Sequence, residues 1–270
     1  MLFQYLEKQE EVSFLLVKPD AYKQENIYLD VYNNIEKEGL DILFLFVTKL
    51  NNQMITKLWP KYIKSPITKS ILENYLENRN VEVIILSGID TIKKTTKIKR
   101  KIRSVYSKGA FANVLHSPDS HEVYTQLKIL LKIEPSHNDN YSMNYVSGLW
   151  GETKKFSDEY IKNIINKLWH RDLGIDFSYL SNEIENFDEG LYLINDNNNS
   201  FDYVVSCIYD IFHNLYLWDL NKVILIALFV DKEGKYPLIS IKNPYINEIE
   251  IRLNNYGLKT ERKVINNENK

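Results

Sequence analysis

Apolar positions along the first half of the chain fall into alternating strand-like and helix-like blocks. Residues 12–17 (VSFLLV) run almost without polar interruption and predict a buried strand, closed by Lys18-Pro19-Asp20. Ile27, Val31 and Ile35 recur at helical spacing, so 27–38 is read as a helix ended by Gly39. The run 40–50 is rich in Leu, Phe, Ile and Val and predicts a second strand. Two short helices follow at 53–58 and 66–78, the second with Ser65 as N-cap and Pro66 at its first position. Residues 81–86 predict a third strand, 91–105 a basic helix or helix-plus-loop, 111–116 a fourth strand and 119–132 a closing helix. Ser117-Pro118, or Asp119 with Glu122, is the capping group for that last helix. This order suggests an α+β fold with helices against one mixed or antiparallel sheet.

Residues 134–155 break the pattern with Pro, Asn, Asp and Gly and little apolar periodicity, so they are read as a linker or crossing loop. The second half predicts a helix at 158–169, a strand at 191–194, a helix at 201–217 and a strand at 223–230. A hairpin turn at 231–235 leads into a strand at 236–242, then a helix at 245–255 and a strand at 258–265. Strand-helix-strand-strand-helix-strand is the ferredoxin-like order, which suggests a second α+β domain of that type. The expected organisation is a first domain over 1–135, a linker over 136–155 and a second domain over 156–270, without sequence self-similarity between the two.

Composition narrows the class. The 270 residues are 44% hydrophobic and 26% charged with a formal net charge of −2, a globular balance that argues against a whole-protein nucleic-acid binder. Cys207 is the only cysteine, so neither an internal disulfide nor a Cys-rich zinc site is available. The first residues, MLFQYLEKQEEV, are charged too early for a signal peptide, and the longest apolar runs are too short to cross a bilayer. A cytoplasmic protein is the expectation.

The most informative stretch is Asn113-Val114-Leu115-His116-Ser117-Pro118-Asp119-Ser120. It sets a histidine at a strand end just before a predicted helix, where helix-terminal N–H groups favour phosphate. Lys93, Lys94, Lys97, Lys99, Arg100, Lys101, Arg103 and Lys108 form a basic run just upstream, read as attracting phosphate rather than nucleic acid because aromatics are not interleaved. Other motifs carry less. His170-Arg171-Asp172-Leu173 has the look of a kinase catalytic loop, but the position for its asparagine holds Phe177, so it reads as a helix end. Glu183, Glu185, Asp188 and Glu189 read as a solvated loop rather than a metal site.

Several of these motifs, in order, resemble the nucleoside diphosphate kinase family. Val17-Lys18-Pro19-Asp20-Ala21 resembles its V-K-P-D motif, Glu38-Gly39-Leu40 with Thr48-Lys49 its second strand, and Leu86-Ser87-Gly88 the end of its third. The spacing Arg103…Asn113…His116, followed by Asp119-Ser120, resembles its R-(x9)-N-x-x-H element. The resemblance covers about residues 12–132. It implies a ferredoxin-like domain and a ping-pong transfer in which His116 takes the γ-phosphate of ATP or another nucleoside triphosphate as phosphohistidine. It also implies that Lys18 and Asn113 contact ribose and phosphate, that Arg103 holds a phosphate, and that magnesium rides on the nucleotide phosphates. The acceptor would be a nucleotide or another small molecule or protein.

The departures are equally specific. Pro118 stands where the family has serine, and its imidazole-orienting glutamate falls by ungapped count on Leu127. The segment between Gly88 and Arg103 is shorter, leaving Lys97 or Arg100 to substitute for a second arginine. The base-stacking aromatic falls near Ile67, and the family's tyrosine near Trp59 or Tyr62. The shortened segment carries oligomer contacts in the family, so a homodimer replaces the usual hexamer as the expectation. The other function class is a nucleotide-binding regulatory or interaction protein that has lost turnover.

Overall fold

The structure is a computed structural model, and it describes residues 11–109, 111–132, 156–169, 174–178, 180, 189–196 and 198–264. The predicted linker, the His170–Leu173 motif, and Glu183, Glu185 and Asp188 lie outside the described residues. The chain divides into two compact units, Met1–Ile63 with Ile71–Ser142, and Lys64–Ser70 with Met143–Lys270.

From residue 12 to 130 the elements are β1 (Val12–Val17), α1 (Glu25–Lys37), β2 (Asp41–Lys49), α2 (Asn52–Leu58), α3 (Pro66–Leu76), β3 (Asn80–Ser87), α4 (Thr91–Tyr106), β4 (Leu115–His116) and α5 (Val123–Leu130). The strands form an antiparallel sheet in the order β2-β3-β1-β4, the ferredoxin-like arrangement. β1 and β3 occupy the centre with both faces covered, which explains their nearly continuous apolar sequence. Leu15 and Val17 of β1 and Ile84 and Leu86 of β3 pack with Ile27, Val31 and Ile35 of α1 and Ile98 and Ile102 of α4. Because side chains alternate along a strand, Phe14 and Leu16 point to the other face. His116 pairs with Leu16 across the β1–β4 ladder and so shares that face.

Local chemistry sets the ends of these elements. Gly39 (φ 61) ends α1, where Leu40 N–H reaches back to Ile35 O (3.2 Å) and Gly39 N–H to Glu36 O (2.9 Å), a Schellman closure. Asn51 caps α2 through Met54 N–H, and Ser65 caps α3 through Thr68 N–H. Two predictions near the histidine need correction. The fourth strand is only Leu115–His116, because Val114 has φ 56 and breaks the extended run expected from 111. The last helix starts at Val123, with Glu122 at its N-cap making no side-chain cap bond. His116 therefore does not abut a helix N-terminus, and the proposed cap at Ser117 or Asp119 does not form.

The second unit contains α6 (Asp158–Leu168), β5 (Gly190–Ile194), α7 (Phe201–Tyr216), α8 (Leu220–Glu233), β6 (Lys235–Ser240), α9 (Ile246–Asn255) and β7 (Thr260–Lys263). It is α+β with a three-stranded antiparallel sheet in the order β6-β5-β7. The ferredoxin-like expectation fails here because 223–230 is helical, not a strand, and no hairpin joins it to β6. An unbroken apolar run carries no period, so length and end signals decide. Asp219 accepts from Lys222 N–H (2.8 Å), and Gly234 closes the other end at φ 84, enclosing a 14-residue helix that is buried almost all round.

These caps make the correction testable by stability. Asp219→Ala is expected to destabilise the protein by about 1 kcal/mol, and Gly234→Ala by roughly 1–2 kcal/mol because alanine resists positive φ. Urea denaturation measures both; an unchanged midpoint for the pair would contradict a capped helix at this position.

Candidate phosphate site

Two carbonyl-and-carboxylate anchors shape the site from the end of β1. Lys18 N–H donates to Val114 O (2.8 Å), extending the β1–β4 ladder one residue beyond β4. Asp20, buried, accepts from Val114 N–H (3.0 Å) through one oxygen and from the Tyr75 hydroxyl through the other. Held from both sides, Val114 keeps a left-handed conformation that a β-branched residue seldom adopts. Leu115 N–H closes back onto Asn113 O at 2.6 Å, a turn of three residues. This turn brings Asn113 and His116 to the wall of one cavity, about 210 Å³ in volume.

Lys18 is 3% exposed, and its Nζ donates to Asn113 Oδ1 (2.6 Å) and Phe111 O (3.2 Å). The same Nζ lies 5.8 Å from the Trp59 ring and 5.5 Å from the Tyr75 ring. Burial, then the charge of Arg103, lowers its pKa to about 7, against the opposing pull of Asp20. From α4, Arg103 Nε donates to Leu115 O (2.8 Å) and Lys99 Nζ to Ser117 O (3.2 Å). Both have lowered pKa values, chiefly from burial, with Arg103 adding to the effect on Lys99. Lys18, Lys99 and Arg103 all line the cavity, as do Asp119 and Glu122.

His116 is partly buried, with its ring 5.3 Å edge-on from Trp59 and 6.2 Å from Phe14. Burial, followed by the charges of Lys18, Lys99 and Arg103, pushes its pKa down to about 3, although Gln126 pulls the other way. Nε2 lies 2.9 Å from Gln126 Oε1. The Gln126 amide donates to Glu122 Oε2 (2.9 Å) and Leu58 O (3.5 Å), both acceptors, and this assigns its oxygen to the imidazole. Nε2 therefore carries the proton, and Nδ1 keeps its lone pair. The neighbouring Ser117 hydroxyl is buried without a hydrogen-bond partner.

Of the sequence-predicted residues, Lys18, Arg103, Asn113, His116, Trp59 and Tyr62 come together around the cavity. Lys97 and Arg100 do not. Lys97 pairs with Glu38 (2.7 Å), and Arg100 is exposed. At about 100° per residue, Lys99 and Arg103 share one helix face while Lys97 lies about 200° from Lys99. The i,i+4 spacing of Lys99 and Arg103 is the signal that sets them apart, which a count of charges along the run does not carry. Trp59 is buried, whereas Tyr62 is half-exposed and meets Phe111 edge-on at 6.3 Å. Ile67 is buried and does not line the cavity. The sequence reads the orienting residue as lost at Leu127, which is fully buried core; the neighbouring Gln126 faces the imidazole instead. Asp20 and Tyr75 were missed because their role is to hold Val114, which no motif spacing encodes.

As for a metal, no group of three or more His, Cys, Asp or Glu side chains among the described residues could hold an ion. The donors on the cavity wall suit phosphate, with Asp119 and Glu122 as the nearby carboxylates. No helix among the described residues is long and apolar enough to cross a membrane.

Comparison with known proteins finds similarity over the N-terminal region. No family model matches the chain. It is 23% identical over 120 residues to a nucleoside diphosphate kinase of Saccharolobus islandicus, covering 41% of this chain and 86% of that protein. A nucleoside diphosphate kinase of Legionella pneumophila is 24% identical over 122 residues, covering 42% and 85%. Among solved structures, the Halobacterium salinarum enzyme in complex with CDP is similar with a TM-score of 0.40 at 14% identity, covering 47% of this chain and 94% of that one. The Aquifex aeolicus enzyme gives 0.38 at 19%, covering 44% and 94%. The sequence relatives mark the N-terminal region as divergent and nucleoside diphosphate kinase-like.

The low basicity of His116 is directly measurable. In a ¹⁵N-detected titration its ring is expected to stay neutral from pH 8 to pH 5, whereas a midpoint near 6.5 would contradict the burial. The sign for stability follows by linkage. Between about 6.5, the unfolded value, and about 3 the unfolded chain binds a proton that the folded one refuses, so stability is lost as pH falls through that window.

Proposed function

We propose that the first unit is a phosphotransferase that moves the γ-phosphate of ATP or another nucleoside triphosphate through a phosphohistidine on His116. The observation that carries this reading is the neutral imidazole, with Nε2–H fixed on Gln126 and the Nδ1 lone pair free, beside Lys18, Lys99 and Arg103. A nucleophile needs an available lone pair at neutral pH, and a transferring phosphoryl group needs fixed positive charge. In the first half-reaction a bond forms between Nδ1 and the γ-phosphorus. The bond to the bridging oxygen breaks, and its electron pair leaves with the nucleoside diphosphate. In the second, an oxygen of the acceptor attacks phosphorus and the electron pair returns to Nδ1. Nε2 keeps its proton throughout.

Lys18 and Arg103 are assigned to the phosphate chain, with Lys99 in the place first given to Lys97 or Arg100. Asn113 holds the Lys18 ammonium in position, and Trp59 and Tyr62 form the aromatic side of the nucleotide site. Magnesium enters as part of the substrate, on the phosphates, where it neutralises charge. The acceptor is a nucleotide or another small molecule, in a cytoplasmic setting, and nucleic acid is disfavoured. Within the basic run, Lys97 is engaged by Glu38 and Lys101 by Asn34. A homodimer belongs to the same reading. β2 is an edge strand with Ile42, Phe44, Leu45 and Val47 exposed, and antiparallel self-pairing about Leu45 would set Asp41 of one copy against Lys49 of the other.

Incubation with γ-labelled ATP and Mg²⁺ tests the proposal. Acid-labile label is expected on the wild type and not on His116→Ala, with transfer to added nucleoside diphosphates or other acceptors. No label, with ATP still raising the melting temperature, would move the protein to the second reading, a nucleotide-binding regulatory module. If ATP neither labels nor stabilises it, both readings fail.

A further inference from the structure

We infer that Glu122 is a positioning residue that orients His116 indirectly, through the side-chain amide of Gln126. Glu122 sits at the N-cap of α5, and Gln126 follows one turn later on the same face. Gln126 is 4% exposed. It can be inserted between Glu122 and the imidazole in two ways that differ by a flip of its oxygen and nitrogen. Only one flip is compatible with Glu122, because an ionised carboxylate accepts and does not donate. The Gln126 nitrogen must therefore face Glu122 Oε2 (2.9 Å), and the oxygen must face His116 Nε2 (2.9 Å). Leu58 O, at 3.5 Å, is too distant to impose the same choice alone. The carboxylate thus selects the Nε2–H tautomer two links away, and with it the nitrogen that keeps its lone pair.

This chain departs chemically from one in which a carboxylate touches the imidazole. A direct carboxylate would hold the ring and also stabilise its protonated form. An interposed neutral amide transmits orientation and leaves the anion one residue removed, so the ring can be held firmly among three cations and still stay unprotonated. His121 Nε2 also faces Glu122, on its other oxygen at 3.8 Å, and leaves Oε2 to Gln126.

The test uses the full-length protein with Glu122→Ala and Glu122→Gln. Long-range ¹H–¹⁵N spectra of the His116 ring read the tautomer without any turnover. The wild type is expected to show Nδ1 as the unprotonated nitrogen. In Glu122→Ala the freed amide flips and both tautomers populate, whereas Glu122→Gln restores the wild-type pattern because its carbonyl still accepts from Gln126. Only the kinetic arm rests on the phosphotransfer reading. At saturating ATP, labelling of His116 slows roughly five- to tenfold in Glu122→Ala without weaker ATP binding, the loss of about one hydrogen bond of orientation, and recovers in Glu122→Gln. A single Nε2–H tautomer in Glu122→Ala would overturn the inference, as would equal disorder in Glu122→Gln. A tautomer shift in Glu122→Ala, alongside a wild type that takes no label, would sink the phosphotransfer reading and leave the relay standing.

Discussion

The candidate site depends on Asp20 accepting from the backbone N–H of Val114. Val114 holds a positive φ that costs a β-branched residue on the order of 1–3 kcal/mol, so the turn persists only where the surroundings over-determine it. Asp20 supplies one restraint, the Lys18 N–H bond to Val114 O a second, and the Asn113–Leu115 closure a third. Tyr75 in turn fixes the Asp20 carboxylate by donating its hydroxyl to it. Without that turn the chain would continue as the longer strand the sequence suggests. Asn113 and His116, an odd number of residues apart, would then point to opposite faces of the sheet. The strain is what puts both at one cavity wall.

The same turn arranges the charges. Asn113 Oδ1 and Phe111 O receive the Lys18 ammonium, and Leu115 O and Ser117 O receive Arg103 and Lys99. Four oxygens from residues 111–117 thus satisfy three buried or half-buried cations with neutral acceptors rather than carboxylates. Neutral acceptors do not cancel the positive charge, which Asp20, Asp119 and Glu122 offset only in part; Arg103 depresses Lys18 and Lys99, and all three cations depress the imidazole. Such a cluster is costly to hold empty and favours a polyanion. The imidazole among them stays neutral, with its protonated nitrogen turned to Gln126.

Much of this was legible in the sequence because it lies in local order. The apolar runs at 12–17 and 81–86, the caps at Ser65 and Gly39, and the register of Lys18, Arg103, Asn113 and His116 all survive in the structure. What was not legible depends on contacts remote in sequence. The four residues 111–114 lose their strand to Asp20, more than ninety positions away. Lys99 replaces Lys97 and Arg100 through helix phase, which a count of charges ignores. The orienter read as missing at Leu127 is supplied by Gln126 because the two helix positions differ in face: one is core and the other reaches the ring. In the second unit the run at 223–230 has no period to read, and only Asp219 and Gly234 mark it as helix.

The claim that this cluster is a phosphate site is tested most directly by ATP affinity as a function of pH. Lys18 titrates near 7 in the free protein, and a bound phosphate would require it protonated. Between pH 7.5 and 9 the dissociation constant is then expected to rise about tenfold per pH unit, and to lose that slope in Lys18→Met. Affinity that is independent of pH over this range in the wild type, or no binding at all, would contradict the account.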